Sequence, residues 1–355
     1  MAIHLANDKT LAGRGTWWNS ENRFETQALC YEEDDVPMGE TRVATELVAD
    51  YAKSIIARND SPDVGFDFSV NPYRGCEHGC VYCYARPTHE YMGYSAGLDF
   101  ESKLFYKPDA AKLLRRELDR PSWKPSVIAL SGVTDPYQPV ERQLTLSRSC
   151  LEVLHERRNP AVVITKNRLV TRDLDLLGEM AKSRCAGVLI SLTTLDLGLN
   201  RVLEPRSSSP AQRLEAIAAL RDAGVPVGVL VAPVIPGLTD HEIPQLLSEA
   251  RSHGADFAGY ILLRLPHAVA PLFSSWLERH YPDRKSKVLS RLESMRGGAL
   301  YQSAFGERMR GSGFHADQIA RLFGVMHQKL GFRVGGMDLC TTGFRPAGGE
   351  QLALF

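Results

Sequence analysis

Short apolar runs alternate with amphipathic segments along most of the chain. Six runs read as strands: 65–70, 126–131, 161–165, 187–193, 226–231 and 257–263. Several are continuously apolar, such as Ala161-Val162-Val163-Ile164. A run of that kind suits a strand buried on both faces, the condition in a parallel sheet. Between them lie segments at helical spacing, 109–118, 144–156, 173–181, 210–223 and 240–253. Ser209-Pro210 is a helix start, because a proline at the first helical position has no N–H to leave unpaired. Ala223-Gly224-Val225-Pro226 is a stop, with glycine just past the end and proline beyond. Alternation repeated about six times implies βαβ units with right-handed crossovers, short of the eight that close a barrel. The expected fold class is α/β, a partial, open (β/α)6 barrel over residues 61–268. Residues 1–60 read as an N-terminal extension with one helix near 45–56. Residues 269–340 read as a helical C-terminal extension (270–280, 284–295, 316–330), and the Gly-rich 341–355 as a flexible tail.

Composition narrows the chemistry. The 355 residues are 44% hydrophobic and 24% charged, with a formal net charge of zero, so no global basic field announces a polyanion. Locally the balance is uneven. Glu32, Glu33, Asp34 and Asp35 form an acidic stretch, and Arg284, Lys285, Lys287, Arg291, Arg296, Arg308 and Arg310 a basic run. The run reads either as a solvated helical face or as a phosphate-facing patch. No apolar run is long enough to span a membrane and the opening residues do not resemble a secretory signal, so a cytoplasmic location is expected. Thiols stay reduced there, and the seven cysteines point to metal or redox chemistry before disulfides. Cys30, Cys150, Cys185 and Cys340 are scattered; the other three are clustered.

That cluster is Arg74-Gly75-Cys76-Glu77-His78-Gly79-Cys80-Val81-Tyr82-Cys83-Tyr84, a Cys-x3-Cys-x2-Cys spacing after the first strand. Gly75 and Gly79 let a short loop turn so that three thiolates converge. A zinc site needs a fourth ligand, for which His78 or His89 would have to serve. An ordinary four-iron cluster takes four cysteines, and no fourth lies nearby in sequence. Three thiolates leave one iron open, which suits a cluster that binds a substrate. Three plain core cysteines at this density are the remaining reading.

The loop resembles that of the radical S-adenosylmethionine superfamily. Asn71-Pro72-Tyr73-Arg74-Gly75-Cys76, Thr134-Asp135-Pro136-Tyr137-Gln138-Pro139, Thr165-Lys166 and Leu203-Glu204-Pro205-Arg206 resemble its spore photoproduct lyase, or photolyase-like, branch. The resemblance implies a [4Fe–4S] cluster on Cys76, Cys80 and Cys83. Its open iron would chelate S-adenosylmethionine, and an electron from a low-potential donor would release a 5′-deoxyadenosyl radical. It also implies cofactor contacts at Tyr82, near the adenine; at Ser131, Thr134 and Asp135, near the methionine amino group; and at Lys166, for the carboxylate. Ser191 and Thr193 are candidates for the ribose, with Glu204 and Arg213 in the same polar shell. The stretch Val231-Ala232-Pro233-Val234-Ile235-Pro236-Gly237 resembles the loop that packs the adenine. Tyr84 matches a tyrosine of the lyase's radical relay and is the candidate catalytic residue. The lyase's hydrogen-returning cysteine has no counterpart in Ser131–Asp135, so the donor or the substrate differs.

The chain ends Gln351-Leu352-Ala353-Leu354-Phe355, which resembles the peptide by which bacterial replication and repair enzymes dock on the β sliding clamp. Gln351 would fill a polar subsite, and Leu352, Leu354 and Phe355 an apolar groove. Three functions follow as expectations: a radical enzyme acting on DNA; one modifying a small molecule, peptide or RNA; and a non-catalytic iron–sulfur redox protein.

Overall fold

The computed structural model describes residues 11–25, 43–130 and 132–346. Its main sheet has seven strands. In chain order they are β2 (Ile56–Arg58), β3 (Phe68–Val70), β6 (Ile128–Leu130), β7 (Ala161–Thr165), β8 (Ala186–Ser191), β9 (Val227–Val234) and β10 (Phe257–Leu262). The spatial order is β10-β9-β8-β7-β6-β3-β2, with β2 antiparallel to β3 and every other pair parallel. The ends of the sheet do not pair with each other, so it is the open, partial barrel of six parallel strands expected from the alternation, with one antiparallel edge strand added.

A smaller sheet pairs β1 (Glu46–Ala49) with β5 (Lys103–Tyr106) in parallel, and β5 with β4 (Tyr73–Arg74). These elements correct one expectation. The helix expected near 45–56 does not form; β1 and β2 occupy that stretch. Its apolar residues meet strand edges, and edge pairing overrides a weak local helix preference.

Helices α2 (Ala110–Leu118), α4 (Leu146–Arg157), α5 (Leu174–Lys182), α7 (Pro210–Asp222) and α8 (Ile243–Ser252) supply the crossovers. Short helices α1 (Asp99–Ser102), α3 (Glu141–Leu144) and α6 (Leu197–Leu203) lie in the loops between them. Ser209 caps α7 in a reciprocal box with Gln212, and Gly224 follows its end at φ +73°. The core runs between sheet and helices: Ile128, Val163, Val188 and Val229 on the strands and Leu114, Leu154, Leu177 and Leu246 on the helices are fully buried. Three further helices follow: α9 (Val269–His280), α10 (Pro282–Ser294) and α11 (Phe314–Lys329). Trp276, Phe273 and Leu292 of α9 and α10 join Val81 and Tyr82 in a second apolar cluster, so the extension packs beneath the cysteine loop. Among the described residues no helix is long and apolar enough to cross a membrane. Cys30, the acidic stretch and the C-terminal pentapeptide lie outside them.

Candidate active site

The cysteine loop leaves β3 and β4 at the carboxyl edge of the sheet, where α/β proteins place their chemistry. Gly75 and Gly79 turn it at φ +77° and +66°. A Cβ at Gly75 would lie 2.9 Å from both Leu104 Cδ2 and the Phe100 carbonyl. The loop is then tied on all sides. The Cys76 amide donates to the Phe100 carbonyl (2.9 Å), the Glu77 amide to Gln138 Oε1 (2.9 Å), and the Val81 amide to the Leu203 carbonyl (3.3 Å). Arg86, fully buried, donates to the carbonyls of Cys80 (3.0 Å) and Gly97 (2.9 Å) and to Glu101. Glu101 in turn accepts from the amides of Gly15 (2.8 Å) and Thr16 (3.0 Å), so the N-terminal segment is seated on the loop.

Cys76 and Cys80 are buried and Cys83 is half-buried; all three are free thiols, and burial pushes each upward from its ordinary value. Neither nearby histidine completes a single-ion site. His78 Nδ1 lies 3.4 Å from Asp135 Oδ2 and its Nε2 3.1 Å from Asn167 Nδ2, while His89 Nε2 lies 2.9 Å from the Lys103 carbonyl. Among the described residues no three His, Cys, Asp or Glu side chains stand at the spacing one ion demands. Three free thiols on one loop, with His78 engaged at both ring nitrogens and His89 turned to the Lys103 carbonyl through Nε2, fit a multi-iron cluster that leaves one iron to another ligand.

Beside the thiols lies a buried polar shell. Glu204, in the turn after α6, accepts from Tyr82 Oη, from Thr193 Oγ1 (2.7 Å), from Asn200 Nδ2 (3.1 Å) and from Arg213. Lys166 Nζ, after β7, is 3.3 Å from Glu204 Oε1, donates to the Ala232 carbonyl (3.0 Å) and stands 5.6 Å over the Tyr82 ring. Burial favours a protonated Glu204, but the Arg213 and Lys166 charges outweigh it and hold the carboxyl far below its usual range. Arg213 also donates to the Ser191 carbonyl (3.0 Å), so Ser191 enters the shell through its backbone.

Asp135 links three strand ends. It accepts from Thr165 Oγ1 (2.7 Å) and the Lys166 amide (2.7 Å), and faces His78 in the cysteine loop. Burial would raise it, yet His78 and these hydrogen bonds keep it below its ordinary value. Thr134 is buried beside it, while Ser131 lies outside the described residues. Tyr84 stands apart from this shell. Its hydroxyl donates to the Gly132 carbonyl at 2.5 Å, and Arg264, just past β10, stacks on its ring at 5.2 Å. Half of its surface is exposed, 50% against 7% for Tyr82.

The structure thus gathers Tyr82, Lys166, Ser191, Thr193, Glu204 and Arg213 around one carboxylate, and Asp135 against the loop. Sequence reasoning missed the roles of His78, Asn167 and Asn200. It also missed Glu101 and the Arg14-Gly15-Thr16 segment. The Leu203-Glu204-Pro205-Arg206 and Thr165-Lys166 motifs pointed to the shell's charged residues, but no local signal marked these partners.

With that geometry in view, the chain's relatives can be placed. The Radical SAM superfamily model matches residues 70–250, and the chain belongs to that superfamily. It is 38% identical over 247 residues to an uncharacterised protein of Mycobacterium tuberculosis, covering 69% of this chain and 72% of the relative. A protein of Methanocaldococcus jannaschii is 27% identical over 238 residues, 67% of this chain and 85% of the relative. A Pseudomonas phage M6 protein, named a radical SAM Nalpha-GlyT isomerase, is 23% identical over 63% of this chain and 45% of its own length. Among solved structures, spore photoproduct lyase complexed with a dinucleoside spore photoproduct superposes with a TM-score of 0.57, at 17% identity over 80% of this chain and 79% of that one. That likeness is one of fold.

Proposed function

We propose that the protein reductively cleaves S-adenosylmethionine and directs the resulting radical at DNA, in a repair-related reaction. One observation carries this reading: the three-thiol loop and the Glu204-centred shell meet at the same sheet edge. A [4Fe–4S] cluster bound there would pass one electron to the sulfonium and yield a 5′-deoxyadenosyl radical. The chain's own residues do the rest. Cys76, Cys80 and Cys83 would hold the cluster through their thiolates. Lys166 offers the cofactor carboxylate a cation whose position Glu204 and the Ala232 carbonyl already fix. Tyr82, under Lys166, walls the adenine side. Arg213 neutralises Glu204, so the shell is ordered before the cofactor arrives. The buried loop excludes water from the reacting atoms. Tyr84, half-exposed with its hydroxyl on the Gly132 carbonyl, would relay a hydrogen atom between cofactor and substrate.

DNA is favoured by two relatives. The solved spore photoproduct lyase carries a dinucleoside lesion, and the phage relative is named for an isomerisation of GlyT. The C-terminal Gln351, Leu352, Leu354 and Phe355 supply a tether to the β sliding clamp, raising local concentration on DNA without a strongly basic surface. Titrating the clamp with the chain and with a variant lacking 351–355 checks this; equal affinities would remove it.

The decisive experiment reconstitutes the cluster without oxygen and adds S-adenosylmethionine and dithionite. 5′-Deoxyadenosine is quantified with and without ultraviolet-damaged DNA. Product that Cys83→Ala abolishes and damaged DNA stimulates is the expected result. Product indifferent to DNA would move the substrate to a small molecule, peptide or RNA. No product from a fully loaded, reducible protein would leave a redox protein.

A further inference from the structure

Arg264 and Arg308 come within electrostatic reach of Tyr84, and Arg296 within reach of Arg264; among the described residues only Arg308 of the three forms an ion pair. Arg264 stacks on Tyr84 and donates to Met309 Sδ at 3.6 Å, a weak acceptor. Its Nε is buried without a hydrogen-bond partner. Arg296 is 3% exposed and also carries an unpartnered buried Nε. It bridges the Leu263 carbonyl (2.6 Å) and the Arg308 carbonyl (3.2 Å), tying the backbone beside Arg264 to that of Arg308. Arg308 pairs with Asp63 and donates to Ser61. Among the described residues no carboxylate forms an ion pair with Arg264 or Arg296. Asp63 is the acid within electrostatic reach of Arg264, and burial together with the Arg264 charge holds Arg296 below its ordinary value.

Buried cations without counter-ions are costly, since desolvation is not offset by a partner. Arg296 meets that cost with two carbonyls, whereas Arg264, half-buried beside a half-exposed tyrosine in the candidate active site and without a carboxylate bonded to it, leaves its charge to an anion that arrives from outside. Its chemistry can be read from the neighbours. Guanidinium forks converging from several directions match the oxygens of a phosphodiester better than one carboxylate, which a single fork satisfies. Aromatic faces are interleaved with them: Tyr84 is 50% and Phe305 55% exposed, and Arg308 stacks on Phe305 at 4.5 Å. Cations alternating with open aromatic rings form the pattern that holds single-stranded nucleic acid, phosphate on the cation and base on the ring.

We infer that Arg264 and Arg308 form a phosphodiester site for a nucleic-acid strand, with Tyr84 and Phe305 as stacking faces for its bases and Arg296 as the buried support that ties their backbones together. The inference rests on the DNA-directed reading and gives that reading a docking site. It also divides the basic run seen in the sequence. Lys285 and Arg291 pair with Glu278 and Asp240, whereas Arg308, though paired with Asp63, comes within electrostatic reach of Tyr84.

The test is equilibrium binding of a fluorescent, thymine-rich single-stranded oligodeoxynucleotide to the full chain by anisotropy, over a series of salt concentrations. Arg264→Gln is expected to weaken binding about tenfold and to flatten the slope of log K against log salt by roughly 0.7. Phe305→Ala, at an exposed position where the fold is not at stake, is expected to weaken the base-bearing strand several-fold and an abasic strand hardly at all. Parental affinity and slope in both variants would overturn the proposal. So would a parent that binds no strand, or one from which polyglutamate displaces the strand as well as unlabelled oligonucleotide does. Because binding is read without cofactor cleavage, the two readings fail separately. Deoxyadenosine production without strand binding sinks the site, and strand binding without deoxyadenosine sinks the radical chemistry.

Discussion

Glu204 shows what a single buried acid commits the chain to. It is shared by Tyr82, Thr193, Asn200, Arg213 and Lys166, with almost no exposed surface. Removing it strands the Arg213 charge in the interior. Glu204→Ala is expected to cost about 3–5 kcal/mol in urea unfolding, while Glu204→Gln, which keeps the acceptor, costs less. Adding Arg213→Met to Glu204→Ala should recover part of the loss. A Glu204→Ala variant as stable as the parent would show that the shell does not bear on folding.

His89 carries a pH dependence. Burial among Tyr94, Phe100 and Phe105 lowers it from 6.5 to about 4. The folded protein therefore binds fewer protons than the unfolded chain between those values. Stability falls as pH drops from about 6.5 to about 4 and levels off below, by roughly 3 kcal/mol in all. His89→Phe should be less stable at neutral pH, having lost the bond to the Lys103 carbonyl, but its urea midpoint should vary less across that window. Equal slopes for variant and parent would assign the acid sensitivity elsewhere.

At the scale of elements, the cysteine loop depends on a segment far from it in sequence. A Cβ on Gly15 would sit 1.7 Å from the Gly79 carbonyl, an impossible approach to rigid backbone. Gly15→Ala should therefore push the N-terminal segment off the loop and lower the iron bound per chain after reconstitution. Gly65→Ala, with nothing within 4 Å of its new methyl, should load normally and serves as the control.

This dependence also marks where sequence reading stops. Strands β6, β8 and β9 were legible because near-complete burial demands unbroken apolar runs. Strands β7 and β10 carry similar runs although one face or more of each is only half-buried. Helix α7 was legible because its cap and stop are written in Ser209-Pro210 and Gly224. The stretch 45–56 was not. Strands of three or four residues on a sheet edge carry too little pattern to announce themselves, and they form only once β3 and β5 are present to receive them. The three cysteines were legible because their spacing is local. The pairing of His78 with Asp135, or of Gly15 with Glu101, joins residues separated by more than fifty positions and leaves no local trace.

At the scale of the whole molecule, the two ends of the sheet order are joined by side chains. Gly306 and Arg308, in the segment that follows β10 and α10, bond to Asp63 in the β2–β3 turn, and the Leu262 amide donates to the Met309 carbonyl. Tyr84 adds a second bridge, with Gly132 beyond β6 on one side and Arg264 beyond β10 on the other. Asp63→Ala should release the first bridge. Amide exchange at Gly306 is expected to quicken about tenfold while exchange within β8 stays unchanged. Unaltered exchange at Gly306 would mean that other contacts hold the join.

A closed ring of strands admits only what enters through its end. Here the gap is spanned by one carboxylate, the Arg308 guanidinium and two backbone amides, and no strand ladder would have to be undone to part them. A filament with no terminus in reach could be laid in from the side and released the same way, a freedom that a sealed wall denies to any long molecule.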